Sequence, residues 1–275
     1  MWEFIAPSIW WGKQDNSFGL WGPVHLSLLG LSVAMIVLII VFRKKISNQT
    51  HILKYLEISL YVWWALEIIK ISMFFITTTN ITQGWREVLP LYMCSIFLYA
   101  LPLSVFGKGI FKDIGDYFLV SLSIIGGAAT LVNSTVLLNY PDWSFYSLHS
   151  LLFHKAMVVT GVLLLSIGYT KLEIKKFYFP MFLIVITAVP AVIVNNIVNT
   201  DYMLMHHAWG APILQDIAAT MGQVFQIFLM LFLYALLSFF AVGFYYIIEK
   251  IIKIRTIKTK VVDENQEEVL NSKID

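Results

Sequence analysis

Polar segments divide the chain into seven apolar runs, at about residues 24 to 42, 53 to 75, 88 to 106, 116 to 138, 147 to 168, 178 to 198 and 222 to 248. Each has the roughly twenty residues that an α-helix needs to cross a ~30 Å hydrocarbon layer. Within such a layer every backbone N–H and C=O must find a partner inside the protein, and for runs of this length the helix is the solution. The pattern predicts an all-α, polytopic membrane helix bundle with seven transmembrane helices. Composition excludes an ordinary soluble domain, because 59% of the 275 residues are hydrophobic and only 13% are charged. The segment before the first run, MWEFIAPSIWWGKQDNSFGLWGP, lacks a basic start, so that run is expected to stay as a span rather than leave as a cleaved signal.

Basic residues alternate between loops. Arg43, Lys44 and Lys45 follow the first run, Lys108 and Lys112 the third, and Lys171, Lys175 and Lys176 the fifth. Lys250, Lys253, Arg255, Lys258 and Lys260 follow the seventh. The positive-inside rule makes these segments cytoplasmic, which puts the N-terminus outside and the C-terminus inside. Trp2, Trp10, Trp11, Trp21, Trp85, Trp143 and Trp209 fall in or near the opposite segments, where indoles favour the headgroup interface. The expected organisation is a membrane domain over 1–248, with a short outer N-terminal segment, and a charged cytoplasmic tail over 249–275 that stays disordered. The expected location is the cell membrane, as a multi-pass protein. With a net charge of +2 and no soluble domain, no nucleic-acid partner is expected. Cys94 is the single cysteine, so no internal disulfide is available. No internal repeat is visible, which weakens a transporter built from duplicated halves.

Ionisable groups inside a span are costly and mark function. The second run carries Glu67 and Lys70, the third Cys94, the fifth His149, His154 and Lys155, and the sixth Asn195, Asn196 and Asn199. At ~1.5 Å per helical residue, Cys94 lies roughly 9 Å, His154 roughly 10 Å and Glu67 about 12 Å inside the expected outer ends of their runs. Asn195 and Asn196 lie within a turn of the same end. A thiol in apolar surroundings is inert unless a base forms or shares the thiolate, and His154 is the candidate base for Cys94. Glu67 or Asn196 is the candidate acceptor that would fix the tautomer of His154. The set reads as a Cys-His-acid or Cys-His-amide triad at the depth of lipid ester carbonyls. Tyr92, His149, Lys70, Asn195 and Asn199 are the candidate substrate-binding residues.

Each residue also has a plainer reading. A lone buried cysteine is usually a small hydrophobe. Glu67 and Lys70, one turn apart, form an ion pair that merely neutralises both. His149 and His154 are five residues apart, about 140° around a helix, and are not expected to face one pocket equally. The asparagines serve as glue between helices. Ser123, Gly126, Gly127 and Ala128 look like close-packing positions, and Pro90, Pro102, Pro180 and Pro190 like bends. His206, His207 and Asp201 make a poor metal signature, having no second spaced pair, so no metal is expected.

The element LPLYMCSIF resembles the LPLHLC-type motif of the bacterial YwaF-like integral membrane proteins, which are related to eukaryotic transmembrane protein 164. The segment YPDWSFYSLHSLLFHKAMVV is similar to that family's aromatic-rich turn and histidine-bearing helix, and VNNIVNTDYMLM to its Asn-rich segment followed by a Tyr-Leu patch. The resemblance runs from about Trp64 to Met205. It implies a seven-span fold related to a phospholipid acyltransferase thought to use a Cys-His pair, with Cys94 matching the cysteine and His154 the histidine. The chain departs from the family pattern at Tyr92, where a histidine is frequent, at Ser95, where an acidic residue is, and in lacking the usual arginine before the histidine.

The leading expectation is therefore a cysteine-dependent phospholipid acyltransferase or lipid acyl hydrolase acting near the outer leaflet. Its partners are membrane phospholipid or lysophospholipid, and its chemistry requires no cofactor. The alternative is a transporter or receptor-like binding protein for a small polar or lipidic ligand, with Glu67, Lys70 and the asparagines as its site. A third reading is a structural subunit of a larger complex. The sequence leaves the oligomeric state open.

Overall fold

A computed structural model describes residues 19–46, 48–77, 81–134, 137, 140, 144–208 and 211–271, with side chains described up to Ile251 apart from a few positions. The described residues fold into helices without a strand. In chain order these are α1 (Pro23–Ile46), α2 (Gln49–Thr77), α3 (Ile81–Glu87), α4 (Ile96–Phe106), α5 (Ile110–Val120), α6 (Leu122–Val132), α7 (Phe145–Ser166), α8 (Tyr178–Val198), α9 (Pro212–Met221) and α10 (Gln223–Asn271). Six helical stretches among the described residues are long and apolar enough to cross a membrane: α1, α2, α5 continued by α6, α7, α8 with the short turn before it, and the first half of α10. The all-α polytopic bundle is as expected. The expectation for the 249–275 tail falls mostly on residues whose side chains lie outside those described, while helical backbone in α10 runs on to Asn271.

Burial sorts the helices into two layers. Of the most apolar windows, 72% of α5–α6 and 67% of α7 is buried, against 17% in α1, 22% in α2 and 28% in α10. The first pair is the centre of the bundle, and the others present an apolar outer face of the kind that meets lipid tails.

The third expected span, 88 to 106, is not one helix. Helix α4 begins only at Ile96, and its 11 residues reach about 16 Å, half of a ~30 Å layer. Residues 89–95 run through turns instead. Pro90 is the physical reason, since proline lacks the N–H that a continuous helix would use and its ring clashes with the preceding turn. The freed groups are satisfied by side chains. The Leu89 N–H donates to Tyr202 Oη at 3.1 Å, and Tyr99 Oη donates to the Pro90 carbonyl at 2.8 Å. Pro102 creates a second vacancy, because it has no N–H for the Leu98 carbonyl four residues earlier. Trp64 Nε1 of α2 donates there at 3.0 Å. The fourth expected span, 116 to 138, starts earlier, at Ile110, and breaks at Ser121, whose hydroxyl donates back to the Tyr117 carbonyl.

Helices α6 and α7 pack antiparallel through small residues. A Cβ built on Gly127 would sit 2.7 Å from the His154 carbonyl oxygen, and one on Gly161 would meet the Ile124 side chain of α6 and, at 2.5 Å, the Leu119 carbonyl oxygen of α5. Ser123 Oγ donates to the Met157 carbonyl at 3.1 Å. Ser123 and Gly127 are thus the close-packing positions expected of them. Helix α1 is fixed to the same pair by the buried His25, whose Nε2 lies 2.7 Å from the Leu131 carbonyl, and α2 by Tyr55 Oη, 2.8 Å from Thr160 Oγ1.

These contacts separate two adjacent glycines. Gly127→Ala is expected to destabilise the bundle by about 1–3 kcal/mol of overpacking, because the obstructing atom is backbone. Gly126→Ala meets only Met157 Cε, at 3.7 Å, and is expected to be neutral or slightly stabilising. Thermal midpoints of the two detergent-solubilised variants check this, and equal midpoints would refute the close approach of α6 to α7.

Candidate functional site

The α7 positions Tyr146, His149, Ser150, Phe153 and His154 recur at three- and four-residue spacing and make one helix face. Further along the same face, from His154 to Gly161, α6 sits directly against it. Towards the N-terminal end of α7 the two helices part, and a cavity of about 450 Å³ opens between them. Its wall takes Glu67 and Lys70 from α2, Glu87 from the end of α3, Tyr92, Cys94 and Ser95 from the unwound segment, and Thr130 from α6. The α7 face, with Asn133 and Tyr140, completes it. Thr130, one turn along α6 from the close approach at Gly127, and His154, whose carbonyl Gly127 meets, both line it.

His154 is oriented by its own helix. Its Nδ1 lies 2.7 Å from the Ser150 carbonyl oxygen, with Ser150 Oγ at 3.4 Å. A carbonyl can only accept, so Nδ1 carries the proton and the neutral ring has its lone pair on Nε2. That Nε2 is buried with no hydrogen-bond partner among the described residues. Sequence reasoning assigned the orienting role to Glu67 or Asn196, and neither is at Nδ1. Asn196 is exposed on α8 and donates to the Val192 carbonyl at 2.8 Å. The signal for Ser150 was its position four residues before His154, one helical turn away, from where its carbonyl is within reach of the imidazole in the rotamer seen here.

Glu67, which is 2% exposed, turns to other partners. Its Oε1 pairs with Lys70 Nζ at 2.6 Å, and its Oε2 lies 3.5 Å from His149 Nε2. The latter contact is within ion-pair reach but not aligned as a hydrogen bond, and His149 Nε2 is otherwise unpartnered. Rings hold His149 in place: Phe153 stacks on it at 5.9 Å and Trp63 meets it edge-on at 6.1 Å. Both histidines line the cavity, with different partners on each ring. The cavity spans the full width of the α7 face, so 140° is not too far.

Cys94 lies in the last turn before α4 rather than inside a regular span. The Ser95, Ile96 and Phe97 N–H groups bond back to the carbonyls of Tyr92, Met93 and Cys94. Tyr92 lines the cavity and packs edge-on against Tyr202, ring centroids 4.7 Å apart. The structure thus brings Cys94, His154, Glu67, His149, Lys70 and Tyr92 to one cavity, and leaves Asn195, Asn196 and Asn199 out of its wall.

Two of these asparagines are architectural. Asn195 is fully buried and clamps the main chain of Tyr202, Nδ2 donating to its carbonyl at 3.0 Å and Oδ1 accepting its N–H at 2.7 Å. Asn199 ends α8 in the left-handed region (φ 52°) and its Oδ1 meets His207 Nε2 at 2.8 Å. Asp201 Oδ1 accepts the N–H groups of His206 and His207, so it is spent on shaping this loop. Partial burial, and then the stacked His206 ring, hold His207 below the ordinary imidazole range.

Sequence reasoning missed Tyr202. It is fully buried, and its hydroxyl donates to the Trp85 carbonyl at 2.9 Å while accepting the Leu89 N–H. It fastens the start of the Cys94 segment to α8. Tyr202→Phe leaves both main-chain groups without a partner, and the expected cost is roughly 1–3 kcal/mol. Thermal midpoint and the alkylation rate of Cys94 by a small maleimide check this; a lower midpoint with faster alkylation is expected, and an unchanged pair of readings would remove Tyr202 from this role.

The sequence profile of the TMEM164 family matches residues 20–246, from just before α1 into α10, and so covers the bundle and its cavity. No curated protein and no solved structure matches the chain. The match covers Cys94, His154 and every other residue that lines the cavity, and the chain is a multi-pass membrane protein that belongs to the TMEM164 family.

Proposed function

We propose that the chain is a membrane-embedded lipid acyl-transfer enzyme, in which Cys94 is the nucleophile and His154 the general base. The observation that carries this reading is the unpartnered, buried Nε2 of His154 in the cavity that Cys94 also lines. A lone pair fixed by the Ser150 carbonyl behind the ring is available to take a proton, and the thiol is the nucleophile that lines the same cavity.

The steps balance without further reagents. The Cys94 thiol proton passes to His154 Nε2, and Sγ attacks the carbonyl carbon of a phospholipid ester. The ester C–O bond breaks, and the proton on Nε2 leaves with the lysophospholipid hydroxyl. The acyl group remains as a thioester on Cys94. An acceptor hydroxyl, from a lysophospholipid or water, then gives its proton to Nε2 and attacks the thioester, and the thiolate recovers the proton. Throughout, the proton on Nδ1 stays there, donated to the Ser150 carbonyl. In this reading the cavity lies near the outer leaflet of the cell membrane, at the depth of the ester carbonyls.

The buried Glu67–Lys70 pair favours a second reading, a carrier or receptor for a small polar or lipidic ligand. Under it Cys94→Ser is silent and Glu67→Gln abolishes binding or uptake.

Intact-protein mass spectrometry after incubation with phospholipid tests the leading reading. One acyl chain added to Cys94 and released by hydroxylamine is expected. The adduct should be absent in Cys94→Ala and form about 10²-fold or more slowly in His154→Ala. Neither adduct nor lysophospholipid from several phospholipids would overturn it, as would an adduct mapping elsewhere.

A further inference from the structure

Charge on the cavity wall is unevenly placed. Glu67 and Glu87 are its carboxylates, the two imidazoles are its titratable bases, and Lys70 is its one cation among the described residues. The Lys70 ammonium carries three donors. One is used by Glu67 Oε1 at 2.6 Å, and no other bond to Lys70 is formed among the described residues. Two N–H donors therefore remain at a site that opens on the cavity.

The surroundings fit an ammonium that changes partners. Glu67 has a second oxygen turned to His149 Nε2 at 3.5 Å, and that nitrogen is buried with no hydrogen-bond partner among the described residues. When an anion draws Lys70 towards the cavity, Glu67 keeps an imidazole donor in reach, so neither charge is left bare in a low-dielectric site. An uncharged ligand gives Lys70 no reason to move and leaves the ion pair closed. A phosphodiester, with a full negative charge and two free oxygens, matches two unspent N–H donors on a compact cation.

Resting on the acyl-transfer reading, we propose that Lys70 is the specificity-determining residue of this cavity. It binds the phosphodiester of the lipid, with Glu67 and His149 positioning its ammonium, and so favours phosphoglycerides over neutral acylglycerols of the same chain length.

Binding separates this proposal from the chemistry. The full chain carrying Cys94→Ala, in maltoside micelles, is titrated with lysophosphatidylcholine or with monoacylglycerol of the same acyl chain, following tryptophan emission, to which Trp63 beside His149 contributes. Adding Lys70→Met is expected to weaken lysophosphatidylcholine at least about tenfold and leave monoacylglycerol unchanged. Lys70→Arg is expected to retain most of the preference. Because Lys70→Met strands a buried carboxylate, the combination of Lys70→Met with Glu67→Gln is measured beside it and should show the same selective loss. Equal losses for both lipids, or no loss for either, would overturn the proposal. Full displacement of lysophosphatidylcholine by millimolar inorganic phosphate would reassign the site to free phosphate and overturn the lipid part. Since Cys94 is absent from every arm, the result stands apart from whether the thioester forms.

Discussion

The unwound stretch from Leu89 to Ser95 sets the terms for the rest of the molecule. A chain crossing hydrocarbon keeps its backbone bonded by staying helical, and irregular backbone survives there only where protein groups supply the missing partners. Here they come from distant parts of the sequence: Tyr202 for Leu89, Tyr99 for Pro90, and Trp64 for the carbonyl that Pro102 leaves open. Each partner then needs support of its own. Asn195 holds Tyr202 by its main chain, and the residues that follow, Met203 and Leu204, sit at φ 59° and 56°. Non-glycine residues keep that conformation only where the surroundings impose it. Tyr234 and Gln226 of α10 do so by donating to the Met203 and Leu204 carbonyls, each at 2.9 Å. Placing one cysteine at a helix start inside the bundle thus engages α2, α8 and α10 together.

The second organising contact is the one at Gly127. Two helices that touch along their whole length leave no cavity, and two that never touch leave a gap open to lipid. Helices α6 and α7 touch over Ser123, Gly127 and Gly161 and then diverge. The apolar and small residues that close the lower half continue, on the same α7 face, into the histidines and serine that line the upper half. Dispersion across the closed half and a polar wall in the open half are thus two uses of one stripe. This is why a single methyl group at Gly127 bears on both stability and the His154 position.

Hydropathy and run length made the bundle legible, because the cost of burying unpaired backbone in lipid acts on every residue and leaves an uninterrupted signal. Depth counting put Cys94, His154 and Glu67 at one level, and all three do line one cavity. What depth could not supply was azimuth. Glu67 and Asn196 share a level with His154, yet one faces His149 and the other points outwards, and the tautomer is fixed by a backbone carbonyl that no side-chain inventory contains. The break at 88–95 was signalled by Pro90, but a proline near a helix end is common, and what distinguished this one was a tyrosine more than a hundred residues away. Tyr202 was legible only as part of a Tyr-Leu patch, since its role depends on the fold that it helps to make.

The two cavity histidines show how similar residues on one helix acquire different chemistry. His154 has a carbonyl behind it, which commits its proton to Nδ1 and bares Nε2. His149 has a carboxylate at hydrogen-bonding range but out of line, and aromatic rings on its faces. The first arrangement suits repeated proton transfer, because the lone pair is regenerated without the ring turning. The second suits holding charge, because a proton arriving on His149 meets Glu67 at once. The division of labour is carried by what stands behind each ring, and that is set by the four-residue spacing to Ser150 in one case and by the neighbouring α2 in the other.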